Sequence, residues 1–407
     1  MATHIVKTEK IVSNGDCLAK IDGRSVFIPL ALPEEKIEIE ITKDFRDYST
    51  ARIVSILEPS PHRVQAFCPL YGNCGGCTMQ HCDEAFQVQL RTDILRNAFE
   101  REGVSIPPVE LISDAPRAYR ARFQFHNGGL MARKSNDVQP LDHCPCATEE
   151  INKYLAEVPF AERPAGRVHV FGSDRLISIP EGYDKLVIAE QEPPQRSPKK
   201  TGKKKMKQVK KRFAGTSAIA PGLCTISLGG KAITFDVQGF FQSNMGVLEK
   251  AIPVITGGLS GRLALDMYAG AGTFSVFLAE HFERLCLVEH NRDALVYAGQ
   301  NLAGRLYDSF GLSGEAWVHS HAESYIREHG NFDAVIIDPP RTGMEKAVCS
   351  WLCASDIPQI RSLSCDIATQ ARDAARLCRA GYKLERLFLL DFYPQTCHIE
   401  SLAWFTK

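Results

Sequence analysis

Three reactive side chains stand at the ends of apolar stretches in the last third of the chain. Asp338 follows AVII, Cys365 follows IRSLS, and Glu400 opens ESLAWF. A thiol directly before a helix can be a nucleophile, because exposed N–H groups and the helix dipole favour its thiolate. A nearby carboxylate can then remove a proton so that the thiolate leaves again. We predict covalent catalysis with Cys365 as nucleophile and Glu400 as base, although either residue alone is more often structural.

A glycine loop upstream of these residues predicts a nucleotide-like cofactor. In LALDMYAGAGTFS, Asp266 ends a strand, and Gly270 and Gly272 form a tight turn that lets the backbone approach a ligand. Glu289 ends the next strand, where an acid can bind ribose hydroxyls. The loop lacks the third glycine of the dinucleotide fingerprint, which favours S-adenosylmethionine over NAD. The alternative for the glycine loop is a turn that serves only packing. Asp338 is followed by two prolines at a strand end where a substrate would lie, and the alternative for it is a helix N-cap.

The fourteen cysteines are unevenly spaced, and six of them form two groups. The opening residues, MATHIVKTEK, contain no apolar run, so we expect no signal peptide, and in a reducing compartment cysteines rarely form a disulfide framework. Clusters of closely spaced cysteines instead indicate metal or iron–sulfur ligation. The first group is Cys68, Cys74, Cys77 and Cys82, and the second is Cys144 and Cys146.

Composition sets the class of protein and hides one asymmetry. The chain has 407 residues, 48 basic and 48 acidic, and no apolar run long enough for a membrane helix. We expect a soluble, cytoplasmic monomer that does not bind membranes. The run RSPKKTGKKKMKQVKKR, at 196–212, holds ten bases and no acid. It is either a solvated disordered loop or an arm that contacts phosphates.

The elements that must position these residues fall into three parts. Residues 1–59 read as short strands with turns at Asn14-Gly15 and Asp22-Gly23, which predicts a small β-barrel of the kind that binds oligonucleotides. Residues 60–80 and 112–233 form a mixed central domain that contains the cysteines. Residues 81–111, an amphipathic helix, and 234–407, a βαβ series, form an α/β domain with a mainly parallel, Rossmann-like sheet.

Together these stretches resemble the RNA uracil-C5 methyltransferase family, especially its iron–sulfur ribosomal RNA branch, over nearly the whole chain. The first 59 residues resemble the TRAM domain, an RNA-binding barrel. CPLYGNCGGC resembles the family's cluster motif, whose fourth ligand lies in a downstream Cys-Pro. The resemblance implies a [4Fe–4S] cluster, and our hypothesis is that this cluster organises the RNA-binding surface of the central domain. Its ligands would be Cys68, Cys74, Cys77 and Cys144, with Cys82 and Cys146 as possible substitutes.

The resemblance also assigns the catalytic residues. FFQSN is similar to the family's FxQxN motif, and SCDIAT stands where the family usually has SCNPAT. The implied reaction begins when a target nucleotide flips out of its RNA fold. Cys365 then adds to C6 of uracil, C5 takes the methyl group of S-adenosylmethionine, and Glu400 removes the C5 proton. The cofactor pocket would contain Gln242, Tyr268, Gly270, Gly272, Thr273, Glu289 and Asp338, although the family often has Asn at Thr273.

Three other functions stay open. The same chemistry could act on the T-loop uridine of tRNA, but the barrel and the cluster favour 23S rRNA because tRNA enzymes of the family commonly lack both. A non-catalytic RNA-binding protein on this scaffold would not need Asp338, Cys365 and Glu400. An amino-group methyltransferase also carries an aspartate–proline motif, but it needs no cysteine nucleophile.

Overall fold

A computed structural model describes residues 3–173, 176–180 and 222–407. The basic run at 196–212 lies outside these described residues, so both interpretations of it stay predictions. Among the described helices, none combines the length and the apolarity that crossing a bilayer requires.

The amino-terminal strands close into a five-stranded barrel, which confirms the predicted barrel. Its core is built by alternation: on the fourth strand Ile37 and Ile39 are fully buried, whereas Glu38 between them is only partly buried. Asp22 and Gly23 form a tight turn with φ of +49° and +80°, the left-handed conformations that a two-residue hairpin needs. The strands are β1 (Thr3–Ile11), β2 (Asp16–Ile21), β3 (Arg24–Pro29), β4 (Lys36–Asp44) and β5 (Tyr48–Glu58).

The cysteine-bearing turns at 60–82 lead into the predicted amphipathic helix, α1 (Glu84–Arg101). Asp83 caps this helix by accepting a hydrogen bond from the N–H of Phe86 at 2.8 Å. The helix buries Leu95 and Phe99 in the apolar layer against the eight-stranded sheet of the chain, which we call the catalytic sheet. The strand that follows, β6 (Val109–Ile112), pairs at the edge of that sheet, and we therefore propose that this segment belongs to the catalytic unit.

The central domain is a small antiparallel sheet covered by one helix. Strand β10 lies between β7 and β11, and the helix α2 packs Ile151 and Leu155 against Phe125 and Val170. A short 3-10 turn, Phe160–Glu162, follows α2. The elements are β7 (Arg122–His126), β8 (Leu130–Met131), β9 (Val138–Gln139), α2 (Glu149–Glu157), β10 (Arg167–Gly172) and β11 (Leu176–Pro180).

The rest of the chain first forms a hairpin and a helix that cover one face of the catalytic sheet. The hairpin strands are β12 (Leu223–Leu228) and β13 (Lys231–Asp236), and the helix is α3 (Met245–Thr256). Ile233 and Phe235 of the hairpin share a core cluster with Leu285 and Ile336 of the sheet. The boundary that we predicted at residue 234 falls inside β13. We therefore propose that the catalytic unit begins before this hairpin.

The remaining elements confirm the βαβ series. The strands are β14 (Gly261–Met267), β15 (Phe282–Val288), β16 (Tyr307–Phe310), β17 (Ala334–Ile337), β18 (Gln359–Ser364), β19 (Lys383–Leu390) and β20 (Glu400–Thr406). The helices are α4 (Ser275–Leu278), α5 (Arg292–Asn301), α6 (Gly314–Trp317), α7 (Glu323–His329), α8 (Lys346–Ala354) and α9 (Ile367–Arg379), with a π-helical turn at Val318–Ala322.

The catalytic sheet has the strand order β16-β15-β14-β17-β18-β20-β19-β6. The first five strands in this order are parallel, and β20 is antiparallel to both of its neighbours. All four residues of β17 are buried, as is expected for a central strand covered on both faces. The sheet thus has the mainly parallel, Rossmann-like arrangement that we predicted, with one antiparallel hairpin at its carboxyl terminus.

Candidate active site

The predicted reactive residues meet at one edge of the catalytic sheet. Asp338 and Cys365 directly follow β17 and β18, which are parallel neighbours. Strand β20 runs in the opposite direction, so its first residue, Glu400, lies at the same edge. Ser364 pairs with Ser401, which places Cys365 and Glu400 side by side across the two strands. Ligands of open α/β sheets bind beyond this carboxyl edge.

The thiol of Cys365 is accessible but its charged form is disfavoured. The residue is exposed and lies directly before α9, whose cap Asp366 accepts from the N–H of Thr369 at 3.0 Å. Desolvation by the surrounding protein, with the carboxylates of Glu400 and Asp338, raises the pKa of Cys365 to about 11, against the opposing charge of Arg341. Our expectation that the helix amino terminus favours the thiolate is therefore wrong for the free protein, because desolvation of the thiol, followed by the charges of Glu400 and Asp338, raises its pKa.

Glu400 has the environment of a general base. Its side chain is buried, and this burial, with the charge of Asp338, raises the pKa of its carboxyl, against the opposing effect of Arg341. Burial and the charge of Glu289 likewise raise the pKa of Asp338. A carboxyl whose pKa lies near the working pH is an efficient proton acceptor, and raised pKa values of this kind gather at active sites.

The loop after β14 approaches Glu289 through its backbone. The N–H of Gly270 donates to Glu289 Oε2 at 2.9 Å, and the N–H of Asn291 donates to Oε1 at 2.6 Å. Gly272 has a φ of +74°, and a Cβ there would lie 3.0 Å from the Cβ of Ala298 in α5. Thr273 follows, half-buried, at the start of the short segment before α4. The structure thus brings Gly270, Gly272 and Glu289 together as predicted.

Two further residues at the end of β14 are under constraint. Tyr268 has a φ of +67°, which is uncommon for a residue with a side chain, and its hydroxyl donates to Glu345 Oε2 at 2.6 Å. Strained backbone of this kind concentrates at functional sites. Asp266 accepts from the hydroxyl of Ser275 at 2.5 Å, and burial raises its pKa to about 7. These two hydrogen bonds hold the chain next to the glycine loop, at Tyr268 before it and at Ser275 after it.

Gln242 supplies an independent indication of a ligand. Its side chain is 7 % exposed, and its Oε1 is buried without a hydrogen-bond partner among the described residues. The chain is fixed directly after Gln242, because the carbonyl of Ser243 accepts from the N–H of Ala121 at 2.7 Å and Asn244 caps α3. A buried acceptor without a partner is rare in folded proteins. A bound cofactor with an N–H donor would fit it.

Five of the six cysteines in the two groups line one small pocket in the central domain. Its walls include the apolar side chains of Leu70 and Phe123, and it encloses about 30 Å³. The Sγ atoms of Cys77 and Cys146 are 3.8 Å apart. Within the described residues, no three metal-ligating side chains are already placed to hold an ion. The thiols that line the pocket are those of Cys68, Cys74, Cys77, Cys144 and Cys146.

The residues that line this pocket limit which cysteines could be cluster ligands. An iron–sulfur cluster uses four cysteine thiolates, and the five thiols that line this partly apolar pocket could supply them. Cys82 is instead buried with Ile11 and Leu32 under the barrel, outside the cysteine pocket. Its suggested role as a substitute ligand is therefore wrong. Cys146 remains an alternative to Cys144, because both line the pocket.

Sequence reasoning missed four residues that lie around the reactive edge. Arg341 follows the aspartate–proline motif and opposes the pKa increases of both Cys365 and Glu400. The ring of Tyr393 lies 5.9 Å from that of His398, and burial followed by the charge of Glu400 raises the pKa of the tyrosine. Arg341 could have been identified from the sequence, because it is a cation directly after the aspartate–proline motif. The others, Arg120, Tyr393 and His398, are brought in only by tertiary contacts.

A second cavity, of about 570 Å³, opens at the opposite end of the strands. It is lined by Gly261, Phe282 and Leu306, which lie at the amino ends of β14, β15 and β16. The predicted catalytic residues all lie at the carboxyl edge. This cavity is therefore not the candidate active site.

Two protein-family models match parts of the chain. The family model described as tRNA (Uracil-5-)-methyltransferase matches residues 225–407, and the TRAM domain model matches residues 5–54. An uncharacterized RNA methyltransferase of Treponema denticola is 35% identical, with 100% of each chain covered. The chain belongs to the RNA uracil-C5 methyltransferase family.

Other members and a solved structure are similar over the same length. The 23S rRNA (uracil(1939)-C(5))-methyltransferase RlmD of Pectobacterium atrosepticum is 27% identical, over 96% of this chain and 91% of the relative. The crystal structure of a Pyrococcus abyssi tRNA (uracil-54, C5)-methyltransferase with S-adenosyl-L-homocysteine has a TM-score of 0.70 at 18% identity and covers 100% of both chains. The latter similarity establishes the shared fold of this methyltransferase.

Proposed function

We propose that this methyltransferase forms 5-methyluridine in 23S rRNA, with S-adenosylmethionine as the methyl donor. The observation that carries the proposal is the adjacency of Cys365 and Glu400 at the carboxyl edge of the sheet, imposed by the pairing of Ser364 with Ser401. A nucleophile and a base on neighbouring strand ends fit an addition that must later be reversed. The unpartnered Oε1 of Gln242 and the loop at Gly270 fit the cofactor.

The chain's residues act in a fixed order in this mechanism. The Sγ of Cys365 bonds to C6 of uracil, which turns C5 into an enolate carbon. S-adenosylmethionine supplies the methyl group that C5 takes. Glu400 then accepts the C5 proton, the C5–C6 double bond forms again, and the C6–S bond breaks to release the thiolate. The buried carboxyl of Glu400 is poised for that transfer by its raised pKa.

The choice of rRNA over tRNA rests on the full-length relative that acts on 23S rRNA and on the cysteine pocket. The barrel no longer supports this choice. The Pyrococcus tRNA methyltransferase covers the whole of this chain, so the expectation that tRNA enzymes lack the barrel does not separate the two substrates. We propose that Cys68, Cys74, Cys77 and either Cys144 or Cys146 hold a [4Fe–4S] cluster.

The test is covalent trapping on RNA that contains 5-fluorouridine. Because fluorine cannot leave C5 as a proton, the final step is blocked and the protein stays bonded to the RNA through Cys365. In vitro transcripts of 23S rRNA and of tRNA form the two arms, and Cys365→Ala is the control. An adduct on 23S rRNA alone supports the proposal, whereas an adduct on tRNA alone means that tRNA is the substrate. Methylation without any adduct overturns the mechanism.

A further inference from the structure

The loop between β19 and β20, residues 391–399, leads directly into Glu400. Gln395 in this loop is 1 % exposed and has a φ of +67°, although it is not a glycine. A non-glycine residue in this left-handed region persists only where surrounding contacts hold it. The loop that delivers the predicted base is therefore held in shape by its neighbours.

The first of these neighbours is the turn that follows Cys77. The backbone N–H groups of Thr78 and Met79 both donate to the carbonyl of Gln395, each at 3.0 Å. The hydroxyl of Thr78 accepts from the N–H of Cys397 at 2.9 Å. The catalytic loop is thus bound on both sides of Gln395 by residues that lie next to a cysteine of the pocket.

The second neighbour is Gln87, a buried residue of α1. Its Oε1 accepts from the N–H of Gln395 at 3.1 Å, and its amide donates to Gln395 Oε1 at 3.0 Å. The same amide donates to the carbonyl of Met79 at 3.0 Å. Gln87 therefore joins the cysteine turn and the catalytic loop into one hydrogen-bonded unit.

A second link runs from the cysteine pocket to the same loop. Tyr119 lines the pocket, and its hydroxyl donates to the carbonyl of Pro394 at 2.9 Å. Cys365 lies outside this unit, because it follows β18 and precedes α9. A displacement of the loop would accordingly move Glu400 and leave the nucleophile in place.

We propose that Thr78, Gln87 and Gln395 are positioning residues that fix Glu400 for proton removal, and that the cysteine pocket acts on catalysis through them. The proposal rests on the function proposed above. A base must come within hydrogen-bond reach of the proton that it removes, and misplacement by about 1 Å is enough to slow a step by about 100-fold. The addition of Cys365 and the methyl transfer do not require Glu400, so the loop controls only the final step.

The step that slows has a distinct product. If Glu400 cannot reach the C5 proton, the methylated uracil keeps its bond to Cys365, and protein and RNA stay joined. The experiment therefore follows a 23S rRNA transcript with ordinary uridine, under single-turnover conditions, on denaturing gels. It measures both methyl incorporation and the decay of the covalent adduct, with the full-length protein in its iron-loaded form.

Thr78→Val removes the hydroxyl that accepts from Cys397 and keeps the shape of the side chain. Since one hydrogen bond contributes about 1 kcal/mol, we expect adduct decay to slow by about fivefold while methyl incorporation stays unchanged. Gln395→Gly, which keeps the left-handed backbone and its N–H bond but loses the side-chain bond that Gln87 donates to Gln395 Oε1, should act in the same direction. Thr78→Ser should restore the decay rate. Thr256→Val removes a comparable buried hydroxyl bond, to Ile252 at 2.9 Å, and is the matched control.

The outcomes separate this proposal from the general mechanism. If Thr78→Val and Gln395→Gly fold, by circular dichroism, yet slow methyl incorporation and adduct decay equally, or change only the Kd for RNA, the positioning role is wrong. It is also wrong if Thr256→Val slows the decay as much as Thr78→Val. If instead the wild-type protein forms no adduct with 5-fluorouridine RNA, the proposed function itself fails.

Discussion

Gly272→Ala should damage the cofactor loop far more than the same change two residues earlier. Both glycines have left-handed backbones, with φ of +55° at Gly270 and +74° at Gly272. An alanine at either position therefore loses about 1–2 kcal/mol from its backbone conformation. At Gly270 the added Cβ meets no atom within 4 Å, so the free energy of unfolding should fall by no more than that amount.

At Gly272 the same Cβ would stand 3.0 Å from the Cβ of Ala298 and 3.2 Å from its Cα. Helix α5 cannot move away easily, because Asn291 caps its start and Asn301, at its end, donates to the carbonyl of Ala271 at 2.9 Å. Overpacking of this kind adds about 1–3 kcal/mol, so the total loss should reach about 2–5 kcal/mol.

Urea unfolding of the two variants measures the difference, and calorimetry of S-adenosylmethionine binding shows whether the loop has moved. We expect a lower unfolding midpoint and weaker cofactor binding for Gly272→Ala than for Gly270→Ala. Equal losses of stability in the two variants would refute the reasoning, because they would mean that contact with α5 does not constrain the loop.

Three further expectations concern the base, a buried ion pair and the cysteine pocket. Glu400 must be ionised to accept a proton, and burial raises its pKa to about 8, so free methylated RNA should be released faster as the pH rises through about 8. Glu400→Gln should abolish this increase with pH and should accumulate the RNA adduct. Arg91 and Asp391 form a buried pair with contacts of 2.6 Å and 3.0 Å, so Arg91→Met should lower the free energy of unfolding, measured in urea, by about 3–5 kcal/mol. Cys77→Ser should lose iron, measured by metal analysis of purified protein, whereas Cys82→Ser should retain it.

Much of the architecture could be predicted because its signals are local. The helix at α1 begins after a capping Asp83, and the turn at Asp22-Gly23 requires left-handed residues that such a pair supplies. The βαβ pattern in the last part of the chain likewise follows from short apolar runs that alternate with helices. These features depend on neighbours in sequence, so the sequence alone is sufficient to indicate them.

Features that depend on distant contacts could not be predicted in the same way. The spacing of the cysteines does not reveal that Cys82 packs under the barrel while Cys146 lies 3.8 Å from Cys77. The position of Cys365 before a helix indicated a lowered pKa, whereas the antiparallel pairing of β20 brings a carboxylate beside it and raises that pKa. The sign of an electrostatic effect follows from the whole site and not from one element.

The charge distribution of this edge gives the raised pKa of Cys365 a simple explanation. Asp338 and Glu400 lie at the ends of the strands on either side of β18, which Cys365 follows, so desolvation of the thiol is reinforced by the charges of Glu400 and Asp338 in disfavouring its thiolate. S-adenosylmethionine carries a positive sulfonium, and at an effective dielectric constant of about 20 a unit charge some 8 Å away contributes about 2 kcal/mol, or roughly 1.5 units of pKa. A cationic cofactor bound against these acids would therefore favour the thiolate just where the free protein suppresses it. We therefore expect the thiol of Cys365 to become more reactive when the methyl donor binds, because the charges of the acids that raise its pKa in the free protein are then partly neutralised.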